Sequence, residues 1–518
     1  MVKVQLIYAA SSITHKGEEY LGINRIYAHL QSKNIDCVLT DLLYDIDINT
    51  QYEKVDMSCN YFGFSIFSDS AEFIFKYSDY IKSKIPNAVI FYGSVFASNC
   101  YNLIFNDCDS VDFIVLGYGE KPIQEFFEAR ANNVAVDEIV HNHKNLVSRK
   151  YNQNKEMCNL DINTLCLPSR EIIKSRKRSL IIVSLITKHG CAGSCSFCSV
   201  RGKGSYRDAE SIFNEIIEIY NETDMRCFNF SDPSFEDFGI IGKKTINDLC
   251  DLIIKSGIKF SFRCLFRAES FTNTKEDIEL LLKMKRAGFN SFFIGIEAAN
   301  DDDLRVFNKR ATKEHCYNVL KLFYEIGLEP KYGFIMINPY STKATLQENF
   351  KFLQHFKCPE IKAYINCLEI YYNSDIYKKL VQENLLSDSY SYINNLFGYY
   401  IKDDYARSVF EFIKNKFLSS EVANVTSLEY RSFDYLLSYI FPLIGSEADY
   451  FVEQRKIMDE KLFAAHNEYF ADIFIKHDLV SAEKHYEEYT NVVNEIYNSS
   501  TKLTHGIIRQ YLNYKKGI

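Results

Sequence analysis

The stretch Cys191-Ala-Gly-Ser-Cys195-Ser-Phe-Cys198 places three thiols close together, in the spacing C-x-x-x-C-x-x-C. It follows an apolar run over residues 179–187. Cysteine thiolates are the normal ligands of iron–sulfur clusters, and three of them can bind three irons of a [4Fe–4S] cluster. The fourth iron then has no protein ligand and remains open to a small molecule. The spacing therefore predicts a cluster with one accessible iron.

Structural thiols and a zinc site are the alternative interpretations of these cysteines. Zinc normally takes four nitrogen or sulfur ligands, often from paired C-x-x-C units. The nearest additional candidates are His189, just before the loop, and Cys227, and neither follows at short range. The sequence therefore favours the cluster over zinc.

The composition indicates a large globular protein of about three domains. The chain has 518 residues, of which 47% are hydrophobic, 25% are charged and 15 are cysteine. The net charge of −8 without a long basic run argues against a nucleic-acid partner. Polar residues interrupt every candidate membrane span, and no signal-peptide pattern begins the sequence. Many cysteines without a secretion signal fit a reducing compartment, so we expect a cytoplasmic protein.

Residues 1–145 alternate short apolar runs with helical patterns, which predicts a flavodoxin-like or Rossmann-like parallel sheet with helices on both faces. Ligands of such sheets bind at the carboxyl ends of the strands. The polar and glycine residues at those ends are the candidate ligand contacts: Ser68, Gly93, Ser94, Gly117, Gly119 and Glu120.

Residues 146–178 are polar and irregular, and we interpret them as a linker. Residues 179–370 repeat strand–helix units, which predicts a full or partial TIM-type barrel. The cluster cysteines, Asp232, Arg267 and Glu297 all follow predicted strands, where the functional residues of barrels gather. Residues 371–518 form an aromatic, mainly α-helical domain, and the absence of cysteine after Cys367 argues against a second cluster there.

The cluster loop, with an aromatic residue before its last cysteine, resembles that of radical S-adenosylmethionine (SAM) enzymes. Further matching segments are Asp232-Pro-Ser-Phe235, Gly295-Ile-Glu297, Asn308-Lys309 and the Asn338-Pro339 turn. The segments Tyr92-Gly93-Ser94 and Gly117-Tyr-Gly-Glu120 resemble the cobalamin-binding domain that precedes many barrels of this family. The chain is thus similar to cobalamin-dependent radical SAM enzymes of the class B methyltransferase type.

One segment departs from that pattern. The cobalamin motif D-x-H-x-x-G supplies a histidine ligand to cobalt, whereas His15 lies in Thr14-His15-Lys16-Gly17, which does not match. The radical SAM branch often lacks this histidine and leaves the lower face of cobalamin without a ligand. A flavodoxin-like domain that has lost its cofactor is the alternative.

The resemblance implies roles for individual residues. Cys191, Cys195 and Cys198 would hold the cluster, and the backbone near Phe197 would contact the SAM adenine. A hydrophobic plug beside the cluster is the alternative role of Phe197, and both roles can hold together. Asp232 would bind the SAM amino group, with a capping or turn role as the alternative. Arg267 would face the SAM carboxylate, with a structural ion pair as the alternative.

Two further positions complete the implied SAM site. Glu297 would bond the SAM ribose or amino group, with an ion pair to Arg267 as the alternative. Gly333 and Ile335 would pack on adenine, with ordinary core packing as the alternative.

The implied activity is reductive cleavage of SAM to a 5′-deoxyadenosyl radical, followed by C-methylation of an unactivated carbon with cobalamin as methyl carrier. The substrate would be a small metabolite or peptide, and the electron donor a flavodoxin or ferredoxin. Cyclisation or rearrangement without methyl transfer, with or without cobalamin, is the alternative outcome. A methylthiotransferase and a non-enzymatic cofactor carrier fit the sequence less well.

Overall fold

The computed structural model describes residues 3–12, 19–175, 182–200, 202–237, 239–418 and 421–516. Two parallel sheets follow one another along the chain, and a helical region completes it. Within these residues, no helix is long and apolar enough to cross a bilayer.

The N-terminal sheet has the strand order β2-β1-β3-β4-β5-β6, in which the first five strands are parallel and β6 is antiparallel. This is the order of flavodoxin-like open sheets with an added edge strand. Its strands are β1 Lys3–Ala10, β2 Asp36–Leu43, β3 Tyr61–Ser65, β4 Val89–Gly93, β5 Phe113–Val115 and β6 Leu146–Val147. Its helices are α1 Leu21–Ser32, α2 Ile48–Tyr52, α3 Ala71–Lys84, α4 Val95–Asp107, α5 Glu120–Ala131 and α6 Val136–Asn142.

The second sheet is a partial barrel of parallel strands in the order β13-β12-β11-β10-β7. A short 3₁₀ turn, Ile162–Thr164, and helix α7, Glu171–Ser175, precede it. Its strands, with the antiparallel hairpin β8–β9, are β7 Val183–Leu185, β8 Lys188–Cys191, β9 Gly202–Tyr206, β10 Cys227–Phe230, β11 Ser261–Arg267, β12 Phe289–Glu297 and β13 Lys331–Phe334. The helices are α8 Ala209–Thr223, α9 Ile240–Ser256, α10 Lys275–Ala287, α11 Asp301–Val306, α12 Lys313–Glu325, α13 Lys343–His355 and α14 Ile361–Ile365.

The C-terminal region consists of helices. They are α15 Asp375–Gln382, α16 Asp404–Ile413, α17 Glu421–Ile444, α18 Asp449–Ala471, α19 Leu479–Lys484 and α20 Tyr486–Lys516, with π-helical turns at Lys414–Leu418 and Asp472–Lys476 and a 3₁₀ turn at Gly445–Ala448. Near the amino ends of the strands, Asn290 donates to the carbonyl of Ser438 at 3.1 Å, and Lys331 pairs with Asp434 at 2.9 Å. Helix α17 therefore forms the barrel floor, opposite the carboxyl ends where barrel sites form.

A buried arginine in the predicted linker joins the two sheets. Arg170 pairs with Glu19, just before α1, at 2.7 Å and with Glu215 of α8 at 2.6 Å. The two carboxylates outweigh the effect of burial, which opposes the charge, and raise the pKa of Arg170. One guanidinium thus spans the N-terminal region and the barrel with both of its terminal nitrogens.

The predicted fold class is confirmed. The structure has an N-terminal flavodoxin-like α/β unit, a partial barrel and a helical C-terminal region. The hairpin β8–β9 and the edge strand β2 were not anticipated, and His15 lies outside the described residues.

Candidate functional site

The end of α11 and the residues that follow it hold the cluster loop in place. The Ser196 N–H donates to the carbonyl of Phe307 at 2.8 Å, and the Ser196 hydroxyl donates to that of Val306 at 2.8 Å. Asn308 donates to the carbonyl of Ser194 at 2.8 Å. Phe197 packs edge-on against Phe307, with ring centroids 5.5 Å apart. The Phe197 side chain is therefore part of a hydrophobic plug, while its backbone contact with adenine remains a prediction.

Backbone amides face two of the three sulfurs. The Gly193 N–H donates to Cys191 Sγ at 3.3 Å, and the Val200 N–H donates to Cys198 Sγ at 3.3 Å. A Cβ atom at Gly193 would lie only 3.3 Å from Cys191 Sγ and 3.9 Å from Cys195 Sγ. Hydrogen bonds to the sulfurs are one way that proteins stabilise and tune iron–sulfur clusters. This donor set fits a cluster.

The thiols do not converge on a single point. Among the described residues, no three His, Cys, Asp or Glu side chains are placed to hold one metal ion. Thiolates that each bind a different iron of a cluster need no such convergence, whereas the ligands of a zinc ion do.

Asp232 is buried and accepts three hydrogen bonds from Thr187 and Lys188, where β8 begins. Its Oδ1 accepts the N–H groups of Thr187 and Lys188 at 2.9 and 3.1 Å, and its Oδ2 accepts the Thr187 hydroxyl at 2.9 Å. Burial raises the pKa of the Asp232 carboxyl. These bonds join Asp232 to the residues before the cluster loop, not to the start of a helix. Its contact with SAM remains a prediction.

Asp237 lies beside the cluster loop, and the sequence patterns did not identify it as a site residue. Its Oδ2 accepts the Ala192 N–H at 2.9 Å and lies 3.7 Å from Lys188 Nζ. Its Oδ1 lies 2.7 Å from Arg267 Nη1, and the residue is only 2% exposed. Asp237 therefore joins the backbone beside Cys191 to the buried Lys188 and the half-buried Arg267.

Arg267 lies among three carboxylates at the end of β11. Besides Asp237, its Nε lies 3.2 Å from Glu269 and 3.7 Å from Glu236. The structural ion pair is thus present, although with these acids and not with Glu297. In the described part of the chain, the Oε2 atoms of Glu236 and Glu269 are buried without a hydrogen-bond partner. Two unpaired buried carboxylate oxygens suit a cationic group such as an ammonium.

Glu297, Gly333 and Ile335 come together at the ends of β12 and β13. The Ile335 N–H donates to the carbonyl of Glu297 at 2.8 Å, and a Cβ atom at Gly333 would lie 3.2 Å from Glu297 Oε2. Glu297 pairs with the buried Lys309 at 3.6 Å. Burial opposes the charge of Lys309, but Glu297 and Cys195 outweigh it and raise the Lys309 pKa. A second charged pair thus flanks the cluster loop near Cys195.

The candidate cobalamin contacts line the carboxyl edge of the N-terminal sheet. Ser94 caps α4, since its hydroxyl accepts the Ala97 N–H at 3.0 Å, and Ser68 is half-buried in the turn before α3. Gly117 has a φ of +79°, and a Cβ atom there would lie 2.4 Å from the carbonyl oxygen of Cys158. Gly93 ends β4, and Gly119 precedes α5. This edge presents small residues and backbone.

The N-terminal edge and the cluster strand touch directly. The Tyr118 ring stacks on His189 of β8, with centroids 3.8 Å apart and ring planes at 16°. His189 Nε2 lies 3.0 Å from Arg25, which lies 4.0 Å from the buried Glu120. Burial lowers the pKa of His189 to about 4, so its ring is neutral and can accept from Arg25. Glu120 is therefore engaged in a buried pair at the interface.

A scan against protein families matches residues 185–353 to the radical SAM superfamily. The chain contains a radical SAM domain. The match confirms the predicted radical SAM domain, and a [4Fe–4S] cluster and SAM are the cofactors of that superfamily. The radical SAM domain occupies the barrel that carries the three cysteines.

Two curated relatives match about half of the chain. The anaerobic magnesium-protoporphyrin IX monomethyl ester cyclase of Synechocystis sp. is 24% identical over 243 residues, which is 44% of this chain and 46% of the relative. The hopanoid C-3 methylase of Methylococcus capsulatus is 24% identical over 298 residues, covering 55% of this chain and 53% of the relative. The matches span about half the length of these relatives.

Among solved structures, the cobalamin-dependent SAM radical enzyme OxsB with aqua-cobalamin bound aligns with the whole chain. The TM-score is 0.70 at 16% identity, covering 100% of this chain and 81% of that one. This likeness extends through both sheets and the helical region, and it establishes the fold around the radical SAM domain.

Proposed function

We propose that this protein is a cobalamin-dependent radical SAM enzyme that C-methylates an unactivated carbon of a small metabolite or peptide. The observation that carries the proposal is the stacking of Tyr118 on His189, because it brings the candidate cobalamin edge against the strand of the cluster loop. When bound, the cluster supplies the electron that splits SAM into methionine and a 5′-deoxyadenosyl radical, and cobalamin supplies the methyl group.

The residues of this chain would position those groups. Cys191, Cys195 and Cys198 would hold the cluster, with amides directed at two sulfurs. The unpaired oxygens of Glu236 and Glu269 would take the SAM ammonium, in place of the occupied Asp232. Glu297 would bond the ribose, Gly333 and Ile335 would pack on adenine, and Arg267 would face the SAM carboxylate.

The N-terminal edge would hold cobalamin by shape and backbone contact. Gly93, Ser94, Gly117 and Gly119 permit close approach of a large planar ligand, because none carries a bulky side chain. The half-buried Ser68 would line the same edge. The curated methylase supports methyl transfer as the outcome.

Ring formation without methyl transfer is the second candidate. A curated relative is a cyclase. That observation favours the same initial cleavage of SAM, followed by cyclisation of the substrate. The two candidates differ in the fate of SAM: methyl transfer yields S-adenosylhomocysteine beside 5′-deoxyadenosine, whereas a cyclisation yields only the latter.

The test is reconstitution without oxygen in the presence of hydroxocobalamin, followed by desalting. We expect about four irons and about one cobalt per chain, and release of 5′-deoxyadenosine from SAM with a chemical reductant. The Cys195→Ala variant, prepared in the same way, is the control. Iron without cobalt would remove the methyltransferase proposal, and release of neither nucleoside product would remove radical chemistry altogether.

We also propose an electron donor and a compartment for the reaction. A flavodoxin or ferredoxin would supply electrons in the cytoplasm, where thiols remain reduced.

A further inference from the structure

Two arginines lie on one face of strand β11. Side chains alternate along a strand, so Arg263, Leu265 and Arg267 share a face, while Phe262, Cys264 and Phe266 are buried on the other. The first face is directed into the barrel lumen, because Arg267 on it reaches the acids at the carboxyl end. Four residues of strand separate the two arginines by about 13 Å. Arg267 therefore lies at the carboxyl end of the lumen, and Arg263 lies near the floor that α17 forms.

The two guanidinium groups have opposite surroundings. Arg267 pairs with three carboxylates, as described above. Arg263 donates to the hydroxyl of Tyr435 at 3.1 Å and lies over the rings of Phe293 and Tyr435, at 5.9 and 5.1 Å from their centroids. In the part of the chain that the structure describes, no carboxylate pairs with Arg263. The lumen thus holds a cation without a counter-charge.

The bond to Tyr435 anchors helix α17, but that role alone does not explain an arginine without a counter-charge at this position. The bond to Tyr435 uses one of five guanidinium N–H donors, and a neutral hydroxyl does not balance the charge. Aromatic rings stabilise a cation less than a charge-assisted bidentate pair does in a partly buried site. Partial burial between two rings makes a missing anion more costly than it would be in water.

We propose that Arg263 binds an anionic group of the substrate, a phosphate or a carboxylate, on the barrel floor. The proposal rests on the proposed function, since it takes the lumen as the space of the radical reaction. The substrate is then an anionic small molecule whose charged end lies against Phe293 and Tyr435. Its reacting carbon lies toward the cluster edge, where the SAM site is proposed. Arg263 positions the substrate because its planar guanidinium can donate two parallel hydrogen bonds to two oxygens of either anion.

The first test measures anion binding without turnover. Reconstituted protein in phosphate-free buffer is titrated calorimetrically with inorganic phosphate and, separately, with acetate. We expect the Arg263→Gln variant to bind the preferred anion about tenfold or more weakly, and Arg263→Lys to fall between the two. Arg286→Gln, which changes an exposed arginine of α10 outside the lumen, is the matched control and should bind as tightly as the unchanged protein. The stronger of the two probes identifies phosphate or carboxylate as the recognised group.

Equal affinity of Arg263→Gln and the unchanged protein for the preferred anion would mean an adventitious ion only, and would overturn the proposal. Binding of neither probe to the unchanged protein would overturn it as well. Iron content and circular dichroism of each variant show whether it folds. Formation of 5′-deoxyadenosine by the unchanged protein is measured separately, so failure of the proposed function is distinguishable from failure of this inference.

A second measurement needs no variant. Phenylglyoxal modifies accessible arginines, and peptide mapping reports each site. We expect the preferred anion to slow the modification of Arg263 while leaving the exposed Arg286 unaffected. Equal rates at Arg263 with and without the anion would contradict the assignment even if Arg263→Gln does not fold.

Discussion

The two parallel sheets present opposite kinds of ligand edge. The N-terminal edge offers glycines, serines and backbone, and its buried acid Glu120 is turned toward Arg25. The barrel edge carries three thiols with buried cations and carboxylates packed around them. The first edge suits a large ligand recognised by shape, and the second suits a cluster and a zwitterion recognised by charge.

The comparison shows that parallel strand order alone does not determine which ligand the carboxyl edge of a sheet can bind. Both edges are built from parallel strands, and both face the same interface, where Tyr118 meets His189. What distinguishes them is the side chains after each strand. The proposed cofactors should therefore be lost independently, and the following changes test that separation.

The largest effect is expected from Cys195→Ala at the barrel edge. Loss of one of three thiolate ligands should remove most of the iron and all 5′-deoxyadenosine formation, because a cluster held by two cysteines is poorly retained. Cobalt per chain should stay unchanged. Cys166→Ala, a half-buried thiol outside the loop, is the matched control. A variant with full iron would break the assignment of the loop.

Asp237→Asn should destabilise the barrel edge through its buried ion pairs. The change leaves Arg267 and Lys188 near an uncharged group, at a cost of about 3 kcal/mol. Urea unfolding of the apo protein measures the loss. Asp248→Asn, which breaks an exposed pair with Lys244, should cost less than about 1 kcal/mol. Equal losses in the two variants would contradict the role given to Asp237.

Gly117→Ala tests the other edge. A Cβ atom there would overlap the carbonyl of Cys158, and the positive φ disfavours alanine, so the loop must shift by an amount that costs about 1–3 kcal/mol. We expect reduced cobalt with full iron. Gly22→Ala in α1, where nothing lies within 4 Å, is the control and should keep both metals. Loss of iron and cobalt together would show that the edges are not independent.

The smallest effect is expected from paired helix caps. Ser94→Ala removes the cap of α4, and Asp208→Ala removes the cap of α8 in the barrel. Each should lower stability by about 1 kcal/mol, measured by urea unfolding. Only Ser94→Ala should also weaken cobalamin retention, since Asp208 is not at the proposed ligand edge. Similar cobalt in both variants would remove Ser94 from the contact set.

Much of this arrangement followed from sequence patterns. Apolar runs bounded by glycine and proline located most strands of both sheets, and the cysteine spacing located the cluster loop. The hairpin β8–β9 was missed because Lys188–Cys191 and Gly202–Tyr206 carry no apolar run, and their partners are each other. Their strand character comes from pairing, which local sequence does not record.

Asp237 was missed for a related reason. It lies five residues after Asp232, and both are acids in the same polar segment. Asp237 differs from Asp232 because it contacts the Ala192 amide and Arg267, and folding brings these two groups to it. The opposite surroundings of Arg263 and Arg267 were equally hidden, because the acids near Arg267 and the tyrosine near Arg263 come from different elements.

The Arg170 bridge bears on how the protein unfolds. Pulling the N-terminal region away from the barrel would leave the buried side chains of Arg170, Glu19 and Glu215 without their partners. Stranded charges of this kind cost several kcal/mol each until water reaches them. A partly unfolded state with one sheet intact and the other melted is therefore disfavoured. We expect the two sheets to melt in a single cooperative transition, although their edges bind different cofactors.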